Sequence, residues 1–471
     1  MRHLLAEPIS VLINESFISG VFPDILKKAL IAPIFKCNNP QIVSNYRPIS
    51  VLPWLSKIFE KAIANRMVNY AAQFSLLSNH QFGFQKCKST VDAILKLVEF
   101  MYTSLNDKCY ALSVFVDLSK AFDTVDHGIL LQKLSLYGMR GLPLSLLTSY
   151  LCNRVQCVRL GGVCSGFRSI NTGVPQGSLL GPLLFLFYVN DFPRVTQQMS
   201  SVLFADDTTL FSSGPDFPNL VDLVNGELCD VANWTRANML SLNVEKTFAI
   251  FFSNRSVEGS IDGLLLFDGE VIGVVPHGKF LGLIIDSNLN FNDHIIHICK
   301  KVSKSVGIFH KLGCDLPQYV LINLYYAFVY PYLLYCNIVW GGTYSACLSP
   351  LRVLQKRIVR LIAGAHYVAH TDPLFFRLRI LKLDDLYRYS LALYMYRHRQ
   401  SFAQLHTDSY LIRNRESIAP QYQRLSVAQR SVYYMGPRVW NSLPERIRNV
   451  QRLSGFKREV KKYFIGSYSQ D

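Results

Sequence analysis

The C-terminal part of the chain is short of acidic residues. Residues 287–471 contain 10 Asp and Glu against 26 Lys and Arg, a net charge of +16, whereas residues 1–286 contain 23 of each kind. The whole formal charge of +16 therefore lies behind residue 286. A basic block joined to a neutral one predicts an anionic partner; nucleic acid is favoured, and an anionic membrane surface also fits.

The cysteine pattern lacks the spacings of a metal or disulfide scaffold. The 11 cysteines are odd in number and no two of them form C-x-x-C. This argues against a zinc knuckle and against a disulfide framework, and it favours a reduced, intracellular protein without a disulfide-linked partner. We interpret most of the cysteines as small buried apolar side chains.

Long hydrophobic runs are also scarce. No signal peptide opens the chain, and the apolar run at residues 179–189 is too short to span a bilayer. Residues 321–340 carry no charge over 20 positions, but they include Pro331, two Asn and five Tyr. A buried helix pair broken at Pro331 is favoured over a membrane span, so no membrane partner is expected.

What is present predicts an α+β fold. Half of the 471 residues are hydrophobic, enough for two or three packed domains. Apolar runs predict strands at residues 110–119, 246–253 and 279–286, and hairpins at 200–213 and 264–272. Helical periodicity covers residues 7–30, 50–75, 89–106, 127–151 and 218–240, and the pattern is mainly helical from about residue 290.

Three acids stand at the ends of predicted strands. Asp117 follows one strand, and Asp206 and Asp207 lie in the 200–213 hairpin. If both elements belong to one sheet, the carboxylates converge at its edge and repel unless a cation neutralises them. Mg²⁺ prefers such oxygen ligands, and two ions about 4 Å apart can clamp a phosphoryl displacement. An isolated acid pair is more often a solvated turn, but apolar strands flank this one on both sides.

At this point the chain resembles a known family. The stretches "FVDLSKAFDTVDH" (115–127), "NTGVPQGSLLGPLLFLFYVND" (171–191), "FADDTTL" (204–210) and "LSLNVEKT" (240–247) are similar, in order, to successive motifs of reverse transcriptases. They match the non-LTR (LINE-type) retrotransposon branch and are jockey-like. "NYRPISVLPWLSKIFEKAIANRM" (45–67) and "QFGFQKCKST" (81–90) upstream, and "GPRVWNSLPERIR" (436–448) downstream, extend the resemblance over nearly the whole chain.

The resemblance implies a right-hand polymerase. Residues 1–110 would form fingers, 111–286 a ferredoxin-like palm with an antiparallel sheet, 287–375 a helical thumb, and 376–471 a basic, mainly helical C-terminal region. The upstream endonuclease of full elements of this kind is not in the sequence, and we expect a fragment of a larger reading frame or a degraded copy. An RNA-directed DNA polymerase is the expected activity; the alternative is a catalytically inactive nucleic-acid-binding remnant.

The resemblance also assigns roles to single residues. Asp117, Asp206 and Asp207 would hold two Mg²⁺ ions, with Mn²⁺ as a substitute, and Lys246 would protonate the leaving pyrophosphate. For nucleotide binding, the matching positions are Lys36, Arg47, Leu118, Phe122, Gln176 and Gly177. Primer and template would be held by Gly282, Lys356, Arg357 and Arg360.

Several of these positions have a simpler interpretation. Phe122, the expected gate against a ribose 2′-hydroxyl, could be a core ring, and Lys36 and Lys246 could face solvent. Asp123 and Asp126 are interpreted as helix N-terminal caps, and Trp440 as a packing residue. The expected partners are an RNA template, a DNA primer or target and dNTPs, in the nucleus or cytoplasm as a ribonucleoprotein.

Overall fold

The computed structural model of the chain describes residues 2–36, 39–255, 263–313, 315–404 and 417–469. The described helices are α1 Arg2–Ser19, α2 Trp54–Gln73, α3 Thr90–Asn106, α4 His127–Leu136, α5 Leu142–Leu151, α6 Leu180–Tyr188, α7 Phe217–Ala237, α8 Asn292–Leu312, α9 Gln318–Phe328, α10 Tyr330–Leu334, α11 Asn337–Trp340, α12 Ser345–Ala363, α13 Asp372–Leu378, α14 Leu383–Gln404, α15 Val432–Ser442, α16 Glu445–Arg448 and α17 Leu453–Gly466. The described strands are β1 Lys28–Phe35, β2 Tyr46–Val51, β3 Tyr110–Val116, β4 Leu118–Ser119, β5 Arg154–Leu160, β6 Val163–Cys164, β7 Arg168–Ile170, β8 Ser200–Phe204, β9 Asp207–Gly214, β10 Ser241–Leu242, β11 Phe248–Phe252, β12 Leu266–Phe267, β13 Glu270–Val271, β14 Gly273–Val274, β15 His277–Phe280 and β16 Leu283–Asp286.

A five-stranded sheet lies at the centre of the molecule. Its strand order is β14-β11-β3-β9-β8, and the β11, β3, β9 and β8 strands pair antiparallel. Successive side chains of a strand point to opposite faces, and in β3 this separates Ala111 and Phe115 from Leu112 and Val114. Both faces are covered, which is why β3 is apolar at nearly every position and reads as a continuous run.

The two faces of the sheet belong to two hydrophobic cores. One core joins Leu112 and Val114 to helices α2 and α4–α7. The other core joins Ala111 and Phe115 to helix α3, to helices α8–α14 and to the C-terminal helices α15 and α17. Residues from both ends of the chain therefore pack around one sheet.

A second sheet lies ahead of the central one in the chain. Strand β1 pairs antiparallel with β2 and parallel with β5, whose other neighbours are β6 and β7. The β1–β5 pairing joins residues more than 120 positions apart, for example Leu30 and Cys157. Lys36 and Arg47 both lie near the end of the β1–β2 ladder, where Arg47 pairs with Ile34 and the Lys36 N–H donates to the Asn45 carbonyl.

Helix α3 begins with a capping box. The Ser89 hydroxyl accepts from the Asp92 backbone N–H, and the Asp92 carboxylate accepts from the Ser89 N–H, which satisfies two of the orphan donors of the first turn. Farther along α3, Glu99 accepts from the Ser431 hydroxyl and from the Val432 N–H at 2.7 Å. Glu99 thereby holds the start of α15 against α3, and the helix contacts both the central sheet and the C-terminal part.

Most of the expected elements are confirmed, including the α+β class, the strand at 110–116 and the 264–272 hairpin. Three predictions were wrong in detail. Residues 279–286 are not one strand, because Leu281 and Gly282 have φ of 45° and 88° and turn the chain into the β15–β16 hairpin. Residues 127–151 form two helices, and residues 7–30 are helical only to Ser19.

The charge-free run at 321–340 is divided among helices α9, α10 and α11, with Val329 between the first two and Pro331 in the first turn of the second. None of the helices in the described ranges combines the length and the apolar character that a membrane span requires. The nine cysteines within those ranges are free thiols, and only Cys157 and Cys336 among them are buried, so the interpretation of most cysteines as buried side chains was wrong. Cys37 and Cys314 lie outside the described residues.

Candidate active site

The three acids lie at one edge of the central sheet. Strands β3 and β9 pair with Val116 opposite Thr208, so Asp117, the next residue after β3, lies beside Asp207, the first residue of β9. Phe204 pairs with Asp207 in the β8–β9 hairpin, which leaves Ala205 and Asp206 as a two-residue turn. The expected neighbourhood of the two strands is confirmed by this register.

Burial and like charge raise the pKa values of two of these carboxyl groups. The pKa of Asp206 is raised mainly by burial and further by Asp117, while Arg47 and Lys36 act in the opposite direction. The pKa of Asp207 is raised to about 6, first by burial and then by the like charges of Asp206 and Asp117. All three acids therefore share one electrostatic environment, in which each added negative charge disfavours the next.

The donor set fits a hard divalent cation in its chemistry, because it consists of carboxylate oxygens whose repulsion a cation would offset. The side chains do not converge as they stand: across the described ranges, no group of three or more His, Cys, Asp or Glu is placed to hold a metal ion. Asp117 instead lies 3.8 Å from the Lys246 ammonium group. The role of the acids as metal ligands stays a prediction.

Hydrogen bonds between Asp117 and the residues that flank Lys246 hold Lys246 at this edge of the sheet. The Asp117 carbonyl accepts from the Asn243 N–H at 2.9 Å, and the Thr247 hydroxyl accepts from the Asp117 N–H at 3.3 Å. The short turn Val244–Lys246 is thus fixed to the end of β3. Strand β4, which contains Leu118, pairs with β10 on the same side.

Two cations reach the acids from the second sheet. Lys36 and Arg47 are both exposed, and both lower the pKa of Asp206 through their charge. Their proximity follows from the β1–β2 register, in which Ile34 pairs with Arg47 and the Lys36 N–H binds the Asn45 carbonyl. Exposed cations beside a carboxylate cluster can bind the oxygens of a phosphate chain.

The "PQGS" turn packs closely against strand β2 of the second sheet. The Gln176 carbonyl accepts from the Ser50 N–H at 2.7 Å, and an added Cβ at Gly177 would lie 2.7 Å from the Ser50 carbonyl oxygen. Gly177 also has φ of 114°, a conformation that other residues rarely adopt. Close backbone approach therefore requires glycine at this position.

The Gln176 side chain has a partner that the sequence did not reveal. Its Nε2 donates to both carboxylate oxygens of Asp123 at 2.9 Å. The pKa of Asp123 is raised by burial, against the effect of the Gln176 hydrogen bonds. The interpretation of Asp123 as a helix cap was wrong, whereas Asp126 does cap α4 by accepting from the Ile129 N–H at 2.8 Å.

Phe122 lies between this turn and the core. Its ring is half-buried with its centroid 4.6 Å from that of Phe185, and its carbonyl accepts from the Val174 N–H at 2.8 Å. The ring is thus held from behind by α6. Its position permits both the core role and the gate role that the sequence left open.

A pocket of about 330 Å³ opens beside the acids, lined by Asp117, Asp207, Lys246, Lys279 and Gly282, among others. Gly282 is at the turn of the β15–β16 hairpin, so the pocket joins this hairpin to the sheet edge. Lys279 is exposed and was missed by the sequence analysis. Its signal was weak, because a lysine in a predicted strand is ordinarily a solvated side chain.

The loop at residues 80–83 holds the Ala205–Asp206 turn from the other side. The buried Gln81 carboxamide oxygen accepts from the Ala205 N–H at 3.0 Å and from the Gly83 N–H at 2.8 Å. The Phe82 N–H donates to the Leu203 carbonyl at 2.7 Å. A Cβ at Gly83 would lie 2.4 Å from the Ala205 nitrogen, so the loop is in contact with the turn.

The three basic residues predicted to hold primer and template lie on α12, away from these contacts. Lys356 and Arg357 are exposed, whereas the Arg360 guanidinium donates to the Ala369 carbonyl at 2.8 Å. No interaction in the described structure joins them to the acids. Trp440 is buried at 5% exposure with its ring centroid 5.7 Å from that of Phe456, as expected of a packing residue.

Comparison with known proteins identifies what this arrangement resembles. Residues 26–285 match the family model described as "Reverse transcriptase (RNA-dependent DNA polymerase)". The chain is 30% identical over 397 residues to the RNA-directed DNA polymerase from mobile element jockey of Drosophila melanogaster, covering 80% of this chain and 42% of that protein. It is 29% identical to the probable RNA-directed DNA polymerase from transposon X-element of the same species, covering 84% and 44%.

The chain thus spans less than half the length of these curated relatives. Among solved structures, apo telomerase from Candida tropicalis aligns over 86% of this chain and 73% of its own, with 11% identity and a TM-score of 0.43.

Proposed function

Because the chain belongs to the reverse transcriptase (RNA-dependent DNA polymerase) family, with relatives in non-LTR retrotransposons of the jockey type, we propose that it is an RNA-directed DNA polymerase that extends a DNA primer on an RNA template. The family has the right-hand polymerase fold, and the antiparallel central sheet serves as the palm. The observation that carries the proposal is the β3–β9 register, which puts Asp117 beside Asp207 and the Asp206 turn at one sheet edge.

In the proposed reaction the 3′-hydroxyl of the primer loses its proton to water, and its oxygen forms a bond to the α-phosphorus of a dNTP. The bond from that phosphorus to the bridging oxygen breaks, and pyrophosphate leaves. Lys36 and Arg47 hold the triphosphate near Asp206, and Lys246 supplies a proton to the pyrophosphate. Lys246 is suited to this role by its place 3.8 Å from Asp117, within the same pocket.

The polymerase family as a whole depends on a divalent metal. In this chain the proposed ligands are Asp117, Asp206 and Asp207, and the proposed ions are two Mg²⁺, with Mn²⁺ as a substitute. Such ions activate the attacking oxygen and stabilise the leaving group. The raised pKa values of Asp206 and Asp207 support this, since their first cause is burial and their second the like charge of neighbouring acids, and a bound cation would offset both.

The remaining roles concern positioning. Phe122 would lie under the sugar of the incoming nucleotide, Gln176 and Gly177 would line its site, and the carbonyl of Leu118 would reach a metal. Gly282 would contact the primer end, and Lys356 and Arg357 on α12, with Arg360, would contact phosphates of the RNA–DNA hybrid. The proposed location is the nucleus or cytoplasm, within a ribonucleoprotein.

Primer extension tests the proposal directly. With poly-rA/oligo-dT, Mg²⁺ and dTTP, the wild-type chain is expected to lengthen the primer. Asp206→Ala removes a central carboxylate and should abolish extension while leaving hybrid binding intact. Asp216→Ala is a suitable control, because Asp216 only caps α7.

The same experiment can reject the proposal. A folded wild-type chain that binds the hybrid but never extends it, with either Mg²⁺ or Mn²⁺, would assign the chain to the nucleic-acid-binding remnants.

A further inference from the structure

A basic module follows α14 at the C-terminal end of the described chain. We define the C-terminal module as residues 417–469, which contain ten Lys and Arg and two Asp and Glu, a net charge of +8. A charge of this density is an electrostatic footprint for a polyanion. The activity proposed above uses none of the module's cations.

A groove of about 1110 Å³ runs between helices α14, α15, α16 and α17. Small-molecule pockets usually have volumes of roughly 300–1,000 Å³ and are mostly apolar, so this larger, open groove of mixed polar and apolar lining suits part of a polymer better. Its lining shares no residue with the pocket beside Asp117.

Each of these four helices contributes one exposed cation to the lining of the groove: Arg388, Arg438, Arg446 and Lys462. Arg446 has no hydrogen-bond or ion-pair partner within the described residues. Arg438 donates only to the Tyr434 hydroxyl, at 3.1 Å. Both guanidinium groups therefore keep most of their five donors available for phosphate oxygens.

Two acids also line the groove, but both are already engaged. Asp385 is buried and accepts from the Tyr468 hydroxyl at 2.7 Å and from Arg388 at 3.2 Å. Glu459 lies 3.2 Å from Arg458 and 3.5 Å from Lys462. With four cations against two acids, the lining keeps a net positive charge of two.

The groove also offers groups that distinguish nucleic acids from simple anions. Tyr463 is 39% exposed, so its ring is accessible for stacking with an unpaired base. Ser442 and Ser467 donate to backbone carbonyls, which leaves their oxygen lone pairs free to accept from a ribose 2′-hydroxyl.

We infer that this groove binds single-stranded RNA through its phosphodiester backbone, as a second RNA-binding surface separate from the site at Asp117. The assignment to RNA rests on the proposed function, because an RNA template is the single strand that such an enzyme must hold beyond the hybrid. A membrane surface with anionic headgroups would also attract the cations, but a flat bilayer does not enter a concave groove.

The test measures binding of a fluorescent 20-nucleotide RNA to the whole chain without primer or dNTPs. The groove variant is Arg438→Gln with Arg446→Gln, and the control is Arg452→Gln with Lys457→Gln. The control removes the same charge from positions of the same module that neither line the groove nor pair with its two acids. Melting temperatures check that both proteins are folded; Arg388→Gln with Lys462→Gln replaces the groove pair if that pair does not fold.

We expect the groove variant to lose at least tenfold in RNA affinity at about 100 mM salt. The slope of log K against log salt should fall by about 1.4, which is about 0.7 for each lost phosphate contact with a single strand. The control should lose less than threefold. DNA of the same sequence should bind more weakly to the wild type than RNA.

Three results would overturn the inference. The first is an equal loss of RNA affinity in the groove and control variants, and the second is equal affinity of the wild type for RNA and DNA. The third is binding to phosphatidylserine vesicles that only the groove variant loses, while its RNA affinity is unchanged. Extension of a short primer–template hybrid whose RNA overhang is only a few nucleotides long should survive in the groove variant. A wild type that extends nothing rejects the proposed function instead, and the RNA affinities still decide the role of the groove.

Discussion

Gln81 accepts a hydrogen bond from the backbone N–H of Ala205, the residue that precedes Asp206 in the turn of the β8–β9 hairpin. The two residues are 124 positions apart, and the contact is buried. Ala205 has a φ of 59°, a conformation that a non-glycine residue adopts at some energetic cost. The Gln81 oxygen thus holds a strained backbone position next to a predicted metal ligand.

We predict that Gln81→Leu slows polymerisation. The change leaves the Ala205 and Gly83 N–H groups without their acceptor, at a cost of about 1–3 kcal/mol for each buried donor. A turn that loosens by about 1 Å can lower a rate by up to about a hundredfold. Single-turnover incorporation should fall ten- to a hundredfold, and the Mg²⁺ concentration for half-maximal rate should rise, while hybrid affinity stays the same.

Gln85→Leu is the matched control, because Gln85 donates to the Ser78 carbonyl in the same loop and does not touch the turn. Equal losses in both variants would mean that the loop, and not the Gln81 contact, matters.

We predict that Asp123→Asn weakens nucleotide binding. The carboxylate now holds the Gln176 Nε2 through two hydrogen bonds of 2.9 Å, and an asparagine offers only one acceptor. A hydrogen bond to a charged group contributes about 1.5–3 kcal/mol, so KM for dNTPs should rise by about tenfold, with a smaller change in kcat. Steady-state extension at varied dNTP concentration measures both constants.

Asp126→Asn, three residues away, makes the same chemical change at a helix cap that asparagine also fills. It should leave KM unchanged. A rise in KM for Asp126→Asn as large as that for Asp123→Asn would contradict the role of the Gln176 contact.

We predict that Phe122→Val admits ribonucleotides. A flat ring under the sugar clashes with a 2′-hydroxyl, and the smaller side chain removes the clash. Competition between rUTP and dTTP in single-nucleotide extension measures the selectivity. The control is Phe192→Val, which removes a buried ring packed on Trp234. It should lower stability without changing the selectivity between the two sugars. Unchanged selectivity in Phe122→Val would identify the Phe122 ring as a core residue only.

We predict that Glu99 makes the protein less stable as the pH rises from about 4.5 to 7. Burial raises the Glu99 pKa to about 7 in the folded state, against 4.5 in its absence. Below pH 4.5 the group is protonated in both states and has no effect, whereas above pH 7 its ionisation in the fold costs about 3 kcal/mol. The free energy of unfolding should therefore contain a Glu99 contribution that falls through this window.

Glu99→Gln should remove that contribution, since an amide can still accept from the Val432 N–H and can donate to the Ser431 hydroxyl. Melting temperatures of the wild type and the variant at pH 5 and pH 7.5 make the comparison. A difference between the two proteins that is the same at both pH values would contradict the prediction.

The sequence was sufficient for features that depend on local patterns. The apolar run of β3, the acid pair between two apolar arms and the helical periodicity of residues 89–106 all identified real elements. What it could not supply was contact between distant residues. The β1–β5 pairing, the Gln81–Ala205 contact and the Asp123–Gln176 pair each depend on the whole fold, and no local signal marks them.

The prediction of a single strand at residues 279–286, where the structure has the β15–β16 hairpin, was wrong for a different reason. "KFLGLIID" is apolar nearly throughout, so periodicity alone could not separate one strand from two. The turn lies at Leu281 and Gly282, and Leu281 adopts a φ of 45° that its side chain would not predict. That hairpin brings Lys279 and Gly282 to the acids, so the error concerned part of the candidate site itself.

The core that runs from α3 through α8–α14 to α17 has a consequence for what counts as a domain in this protein. The family match ends at residue 285, yet α3, which lies inside it, is covered by side chains that the chain supplies after residue 285. Cutting the chain there would leave Glu99 without Ser431 and Val432. The stretch recognised by sequence similarity is therefore shorter than the stretch that must fold together, and an expressed catalytic fragment has to extend to α17.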